Sequence, residues 1–560
     1  MESLTLAVAA VVVIVAVTAL ASRTGVAAPL ILVALGVAVS FLPFVPPVEV
    51  EPEIILAGVL PPLLYSAAVS LPAMEFRRDF TAIGGLSVLL VVITSLVLGW
   101  VFQALIPGLG FAGGVALGAI LSPTDAVATA IVKRLHAPPR VVTVLEGEGL
   151  LNDASALVLL RSAVAATASA VSVWQVVGDF LWAVSVAVLC GLVVGWIGLR
   201  ARRRVPGATL STALSFVVPF VAYLPAEHLR ASGLVAVVTA GLVTGVGSAR
   251  YLSPQDRVSE HSNWQTVETL LEGAVFGLMG LELFGLVQDV RAEGDSLLAG
   301  AGLAALAAVT VLAVRGAYLA PLLWSLKRRA RRGAARRDTV VRMQDQADQR
   351  VSPAARSDHA RRTIVRRIAD IDYLTARPLG PREGVLLVWS GMRGVVTLAA
   401  AQSLPAGFPH RSFVVLIAFG VAAGTLLVQG GTLPWVVRRL GLVGAGAGRS
   451  EDLTVLLEAA RGAARDLLND PALARPDGSA YDEGVLQRVR EMVGREPATE
   501  TEELPTEERR MQFRELRLRM IEAERSLLLA ARSAGLYDSR QLKRVLDLLD
   551  ADQIALELRS

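Results

Sequence analysis

Gly118-Ala-Ile-Leu-Ser-Pro-Thr-Asp-Ala-Val-Ala128 sets a proline, two hydroxyls and a carboxylate inside an apolar run spanning 111–132. Counting back from Lys133 at ~1.5 Å per residue puts Asp125 ~12 Å inside that run. An ionised side chain at such depth in hydrocarbon costs about 2.5–3.5 kcal/mol on insertion scales, so its presence points to a task. Pro123 removes a backbone donor and frees a carbonyl one turn earlier. With Gly118 and the oxygens of Ser122 and Thr124, this predicts an interrupted helix whose carbonyls can ligate a cation.

The rest of the chain supports a membrane setting. Of its 560 residues, 53% are hydrophobic and only 19% charged, and the mean hydropathy is +0.54. Soluble domains carry about 25% charged residues. Runs such as Leu4–Leu20, Ala82–Val101 and Leu181–Ile197 are long enough to cross ~30 Å of hydrocarbon. A soluble enzyme, a disulfide scaffold and a disordered chain are excluded, the second by the single cysteine, Cys190. The formal charge of +4 does not imply nucleic acid, because the basic residues cluster at the ends of apolar runs. Leu4–Leu20 has no basic segment before it and further spans after it, so it reads as a first membrane helix and not a cleaved signal.

The expected fold is an all-α polytopic membrane protein of about thirteen spans, near 4–21, 26–43, 53–70, 82–104, 111–132, 141–169, 178–199, 208–228, 233–247, 263–288, 296–325, 384–404 and 411–438. With the N-terminus outside, the short inner loops hold twelve Lys and Arg and the outer ones three (Arg230, Arg291 and Arg411), as the positive-inside rule requires. Residues 1–440 form the membrane domain, interrupted by a basic cytoplasmic loop over 327–382. Residues 444–560 form a cytoplasmic helical region, with helical spacing at Leu542, Val545, Leu546 and Leu549. No phosphate-binding glycine loop, zinc spacing or nucleophile elbow is present, and the histidines fall in loops or at span ends, so neither an enzyme nor a cofactor is expected.

The other charges inside spans extend the reading. Glu148 falls ~12 Å and Asp153 ~20 Å from the inner end of their span, and Arg393 ~15 Å from Glu383. On a helix, Glu148 and Asn152 stack at i, i+4 while Asp153 points ~140° away from Glu148. A guanidinium cannot discharge itself and needs a carboxylate in a dry place, which assigns Glu148 to Arg393 as a structural ion pair and leaves Asp153 facing Asp125. Asn152 orients Asp153. Arg161 snorkels to the outer surface, and Glu268, Glu272, Glu282 and Arg315 read as structure or gating.

These residues resemble the NhaP-type bacterial sodium/proton antiporters, relatives of animal sodium–proton exchangers. The stretches that carry the likeness are Leu60-Pro-Pro-Leu-Leu-Tyr65, Ser122-Pro-Thr-Asp-Ala-Val-Ala128, Glu146-Gly-Glu-Gly-Leu-Leu-Asn-Asp-Ala154, Gly277-Leu-Met-Gly-Leu-Glu282 and Gly391-Met-Arg-Gly394, in order over residues 1–440. The resemblance implies inverted repeats with interrupted helices, a homodimer whose protomers have a dimerisation domain and a moving core, and a Na+ (or K+ or Li+) site of Asp125, Asp153 and the Thr124 carbonyl. Asn152 before Asp153 resembles the electroneutral branch. Three positions depart from the family: Gly149 stands where a serine is common, Ala126 where a proline is, and Glu272 in place of an asparagine.

The function expected is therefore exchange of a monovalent cation, Na+ first and K+ as the alternative, for H+ across the plasma membrane. Cation and proton compete for Asp153 and Asp125, with Thr124 and Ser122 supplying oxygens. A cation channel using the same carboxylates would conduct without coupling. A membrane sensor would lose its function with the tail, which an antiporter would not.

Overall fold

Where no water satisfies backbone N–H and C=O groups, a chain closes those bonds within helices. Every regular element among the described residues of the computed structural model is helical. The structure describes residues 2–43, 45–48, 50–168, 172–350, 358–445, 450–494, 506–535 and 537–558; parts of the basic loop and of the C-terminal region lie outside them. The chain divides into two compact units, Met1–Arg329 with Leu379–Gly446, and Ala330–Pro378 with Ala447–Ser560. The basic segment thus shares a unit with the C-terminal region.

The first unit begins with α1 (Glu2–Thr24), α2 (Ala28–Ser40), α3 (Leu60–Ser70), α4 (Ala73–Gly84) and α5 (Leu90–Leu105). It continues through α6 (Gly110–Ile120), α7 (Ala126–Arg134), α8 (Pro139–Ala168), α9 (Val173–Arg202), α10 (Ala208–His228) and α11 (Gly233–Tyr251). Then come α12 (Pro254–Leu281), α13 (Leu283–Ala292) and α14 (Leu297–Arg350), which runs on into the second unit. In the second unit α15 covers Asp358–Ala376; the first resumes with α16 (Pro381–Trp389), α17 (Val395–Gln402), α18 (Arg411–Thr425) and α19 (Gly431–Arg439). Among the described residues nine helical stretches are long and apolar enough to cross a membrane, and three shorter apolar ones accompany them.

Two groups of helices emerge. The first packs α9, α10 and α11 together, with α3 and α12 against them and α1 and α2 on α12. The second builds α4, α5, α6 and α7 around α8, with α17 joining α6 and α18. α2 and α12 approach closely because two glycines face each other. A Cβ on Gly280 would lie 2.5 Å from the Val33 carbonyl oxygen and 2.8 Å from Gly36 Cα. Without a hydrophobic drive between helices in lipid, such small-residue contacts let dispersion hold them.

The interruption expected in 111–132 is present, as a non-helical stretch between α6 and α7. The span expected as one piece over 384–404 is broken as well, between α16 and α17.

In the second unit, α20 (Ser450–Leu468), α21 (Glu483–Gly494), α22 (Glu507–Ala534) and α23 (Ser539–Leu558) pack on one another. Leu456, Ile521, Leu528, Leu542, Val545 and Leu549 form one buried seam, with Leu546 at its edge. Arg377 ties α15's end to Asp538 at 2.5 Å. Glu524 sits between Ile521 and Leu528 in that seam, and burial pushes its carboxyl up to about 7, against the pull of Arg517 and Arg461 and with the help of Asp552.

Two outcomes follow from this packing. Gly280→Leu forces α2 from α12 and should lower the unfolding free energy in detergent by about 1–3 kcal/mol, read as a fall in the thermal midpoint. Glu524 binds its proton more tightly folded than unfolded. Its contribution is therefore present below its ordinary value of 4.5 and is lost as pH rises to about 7. Glu524→Gln should flatten that decline in a pH series of melting midpoints.

Candidate ion-binding site

The two helix breaks cross. Leu121–Asp125 separates α6 from α7, and Ser390–Gly394 separates α16 from α17. At the crossing the Asp125 backbone N–H donates to the Met392 carbonyl at 2.8 Å. Arg393 fills the opposite need: its Nε donates to the Leu121 carbonyl at 2.7 Å, its Nη2 to that of Ser122 at 3.4 Å, and its Nη1 to that of Gly391. Its own N–H donates to Thr425 Oγ1 at 3.0 Å. The guanidinium thus lies at the C-terminal end of α6, where helix carbonyls are unpaired and partly negative. Asp125 stands just before the N-terminal end of α7, where the sign is reversed. It also lies against Gly394, where a Cβ would come within 2.6 and 2.7 Å of the two Asp125 carboxylate oxygens.

This geometry corrects the pairing expected for Glu148. Glu148 is bound by Arg315 of α14: both guanidinium Nη atoms donate to its two oxygens, one of them at 2.8 Å. Arg315 Nε donates to the Leu387 carbonyl at 2.8 Å. Both side chains are buried, each 1% exposed. Arg393 is taken by the carbonyls that the first break leaves open, and these are nearer to it than any carboxylate it could reach. A Cβ on Gly391 would sit 2.8 Å from Arg315 Cδ, so the glycine clears the path along which Arg315 passes the second break.

The residues expected at the site divide into paired and unpaired. Asn152 Nδ2 donates to Thr124 Oγ1 at 2.7 Å, and that hydroxyl reaches Glu148 Oε1 at 3.5 Å. Ser122 gives its carbonyl to Arg393. Asp79 and Glu260 each hold an arginine, Arg140 and Arg202, in buried bidentate pairs. By contrast Asp125 Oδ2, Asp153 Oδ1 and Asn152 Oδ1 are buried with no hydrogen-bond partner. Asp153 is 5% exposed, and Asp125 acts on it electrostatically. Glu272 of α12 is within electrostatic reach of Asp125 as well. A Cβ at Gly149 would be 3.8 Å from the Thr124 carbonyl oxygen, which leaves space there. Arg161 pairs with Glu227 at 2.9 Å and is exposed.

Arg315 is the residue the sequence reading undervalued. A signal was available: counted back from Lys327, it stands ~18 Å inside its run, the same depth range as the other four charges.

A double-mutant cycle separates the two pairings. Removing either partner of a buried ion pair costs about 3–5 kcal/mol, so Glu148→Gln and Arg315→Met should each destabilise the protein in detergent and show strong coupling when combined. Glu148→Gln with Arg393→Met should show clearly weaker coupling, since Glu148 acts on Arg393 through space without a direct ion pair.

The profile of the family described as sodium/hydrogen exchanger, transmembrane, matches residues 8–439. A protein of Mycobacterium tuberculosis named as an uncharacterised Na+/H+ exchanger, Rv2287, is 29% identical over 98% of this chain and 95% of its own length. YjcE of Escherichia coli, named likewise, is 30% identical over 74% of this chain and 72% of its own. The solved structure of the sodium proton antiporter MjNhaP1 from Methanocaldococcus jannaschii aligns with a TM-score of 0.56, covering 79% of this chain and 99% of its own at 17% identity. At that identity the likeness is one of fold.

Proposed function

We propose that this chain, which belongs to the transmembrane sodium/hydrogen exchanger family, exchanges Na+ for H+ one for one by letting the two compete for Asp153 and Asp125. The observation that carries the reading is that, of the residues expected at the site, Asp125 Oδ2, Asp153 Oδ1 and Asn152 Oδ1 are buried acceptors without donors. A buried acceptor left unsatisfied costs about 1–3 kcal/mol, more when charged. A proton on the carboxyl relieves that cost, and so does a cation stripped of water, but the same oxygen cannot serve both.

Asp153 is then the ligand and proton carrier and Asp125 the second carboxylate. The Thr124 carbonyl completes the ligand set, and Asn152, anchored on the Thr124 hydroxyl, holds Asp153 in place. With two charges and no counter-ion the site resists crossing the low-dielectric interior. Loaded with a cation or protonated, it can move. That rule couples the two gradients without another energy source. Asn152 adds no charge beside Asp153, which favours the electroneutral stoichiometry. An N-terminus outside and a C-terminus in the cytoplasm accord with the distribution of Lys and Arg, and a homodimer in the plasma membrane is what the family likeness suggests.

The K+/H+ alternative gains support from one feature. Gly149 offers no hydroxyl beside the Thr124 carbonyl and leaves open space there, which suits a larger ion.

Proteoliposomes loaded with acid test the proposal. Addition of Na+ should collapse the proton gradient in wild type, and Asp153→Asn should slow this at least ~10-fold, the loss that about 1.4 kcal/mol of binding energy would produce. The ranking of Na+, Li+ and K+ in wild type names the substrate. Exchange in Asp153→Asn at the wild-type rate would show that the site is wrong.

A further inference from the structure

α17 is a short helix with a carboxylate against each end. Its N-terminal end, at Gly394, lies against Asp125. Its C-terminal residue Gln402 lies ~12 Å further along the helix. There Gln402 Nε2 donates to Glu282 Oε2 at 2.9 Å. Glu282 occupies the joint between α12 and α13 and is only 5% exposed. The contact therefore links a helix of one group to a helix of the other, at the opposite end of α17 from the ion site.

The pair has a chemical oddity. Glu282 Oε1 and Gln402 Oε1 are both buried and both without a donor. An ionised carboxylate has no hydrogen to give, and an amide oxygen only accepts. As an ionised pair, two acceptors would remain unsatisfied within one contact, each at a cost of about 1–3 kcal/mol. A single proton removes both deficits. A neutral Glu282 would donate through Oε1 to Gln402 Oε1 beside the observed Gln402 Nε2 to Glu282 Oε2 bond, closing a cyclic acid–amide pair. The groups that face Glu282 are the Gln402 amide and the backbone N–H of Val50. Neither carries a charge that would hold the carboxylate ionised, and the cation beside the pair, Arg411 of α18, is spent on the backbone carbonyls of Gln402 and Leu404 and makes no ion pair with Glu282 among the described residues.

We propose that Glu282 is held as a neutral acid paired with Gln402, a protonated latch that keeps α17 against the α12–α13 joint and opens when that proton leaves. In the orientation proposed above the latch closes the outer side, so outer alkalinity would release the helix that abuts Asp125. The transport consequence rests on the antiporter reading; the protonated pair itself does not. On release of the proton, the O–H bond of Glu282 breaks, the proton passes to water, and the carboxylate oxygen then faces the amide oxygen as a second acceptor.

Infrared difference spectroscopy of the full chain in lipid tests the latch. Wild type minus Glu282→Gln should show an acid C=O band that exchanges in deuterated water and is lost as pH is raised. Gln402→Leu should keep that band but shift it to higher frequency, since its hydrogen-bond acceptor is gone. Na+–Na+ exchange at equal pH on both sides should show a pH limb at the midpoint of the band, absent in Glu282→Gln. An identical acid region in wild type and Glu282→Gln across the titration overturns the latch, whether or not the protein transports. A titrating band with no cation exchange in wild type would instead uphold the protonated pair and overturn the antiporter reading.

Discussion

Breaking a helix inside a membrane exposes backbone groups that lipid cannot satisfy, and this molecule breaks two where they cross. The crossing solves the problem internally. The Asp125 N–H is taken by the Met392 carbonyl, and the open carbonyls of Leu121 and Ser122 by Arg393. Each break repairs the other, so neither can form alone. The charges are placed to match: a guanidinium at the negative end of α6 and a carboxylate at the positive end of α7. Gly394 is required in this arrangement because any side chain there would occupy the space of the Asp125 carboxylate.

That mutual repair explains which parts of the architecture could be read in the sequence. The first break was legible because Pro123 cannot donate, and Asp125 marked it as more than a kink. The second was not, since Gly391-Met-Arg-Gly394 holds no proline and sits in an otherwise continuous apolar run. Its unwinding is matched by the first break across the crossing, a tertiary contact that Gly391 and Gly394 permit but do not by themselves specify. The family resemblance pointed to interrupted helices without saying where the second lay. In the C-terminal region the spacing of Leu542, Val545 and Leu549 gave the buried face directly, because a single amphipathic helix carries its own pattern.

The site was legible in depth and not in direction. Counting residues from the membrane edge brought Asp125, Glu148, Asp153 and Arg393 to one level. Depth alone offers two arginines to Glu148, and the choice between them depends on which carbonyls are unpaired nearby. Once Arg393 is committed to the first break, Glu148 falls to Arg315, whose fork matches both carboxylate oxygens. The separation of Glu148 from Asp153 by helical rotation held, because rotation within one helix needs no knowledge of its neighbours.

In the proposed reading, the contrast along α8 is what lets one carboxylate exchange ions while the other does not. Glu148 and Asp153 are five residues apart on one helix, equally removed from water, yet they differ in every other respect. Glu148 receives two guanidinium contacts and a hydroxyl, so both of its oxygens are supplied with donors. Through Arg315 it fixes α8 to α14 and to the Leu387 carbonyl of α16. Through Thr124 the same network fixes the first break, and Asn152 adds a second tie to that hydroxyl. None of these bonds reaches Asp153 Oδ1 or Asp125 Oδ2, which are left without a donor. Were either oxygen supplied with a donor from the protein, the core would be more stable and the carboxylate would no longer need an ion. On the proposed reading it is this unsatisfied pair, held within that framework, that a proton or a cation fills.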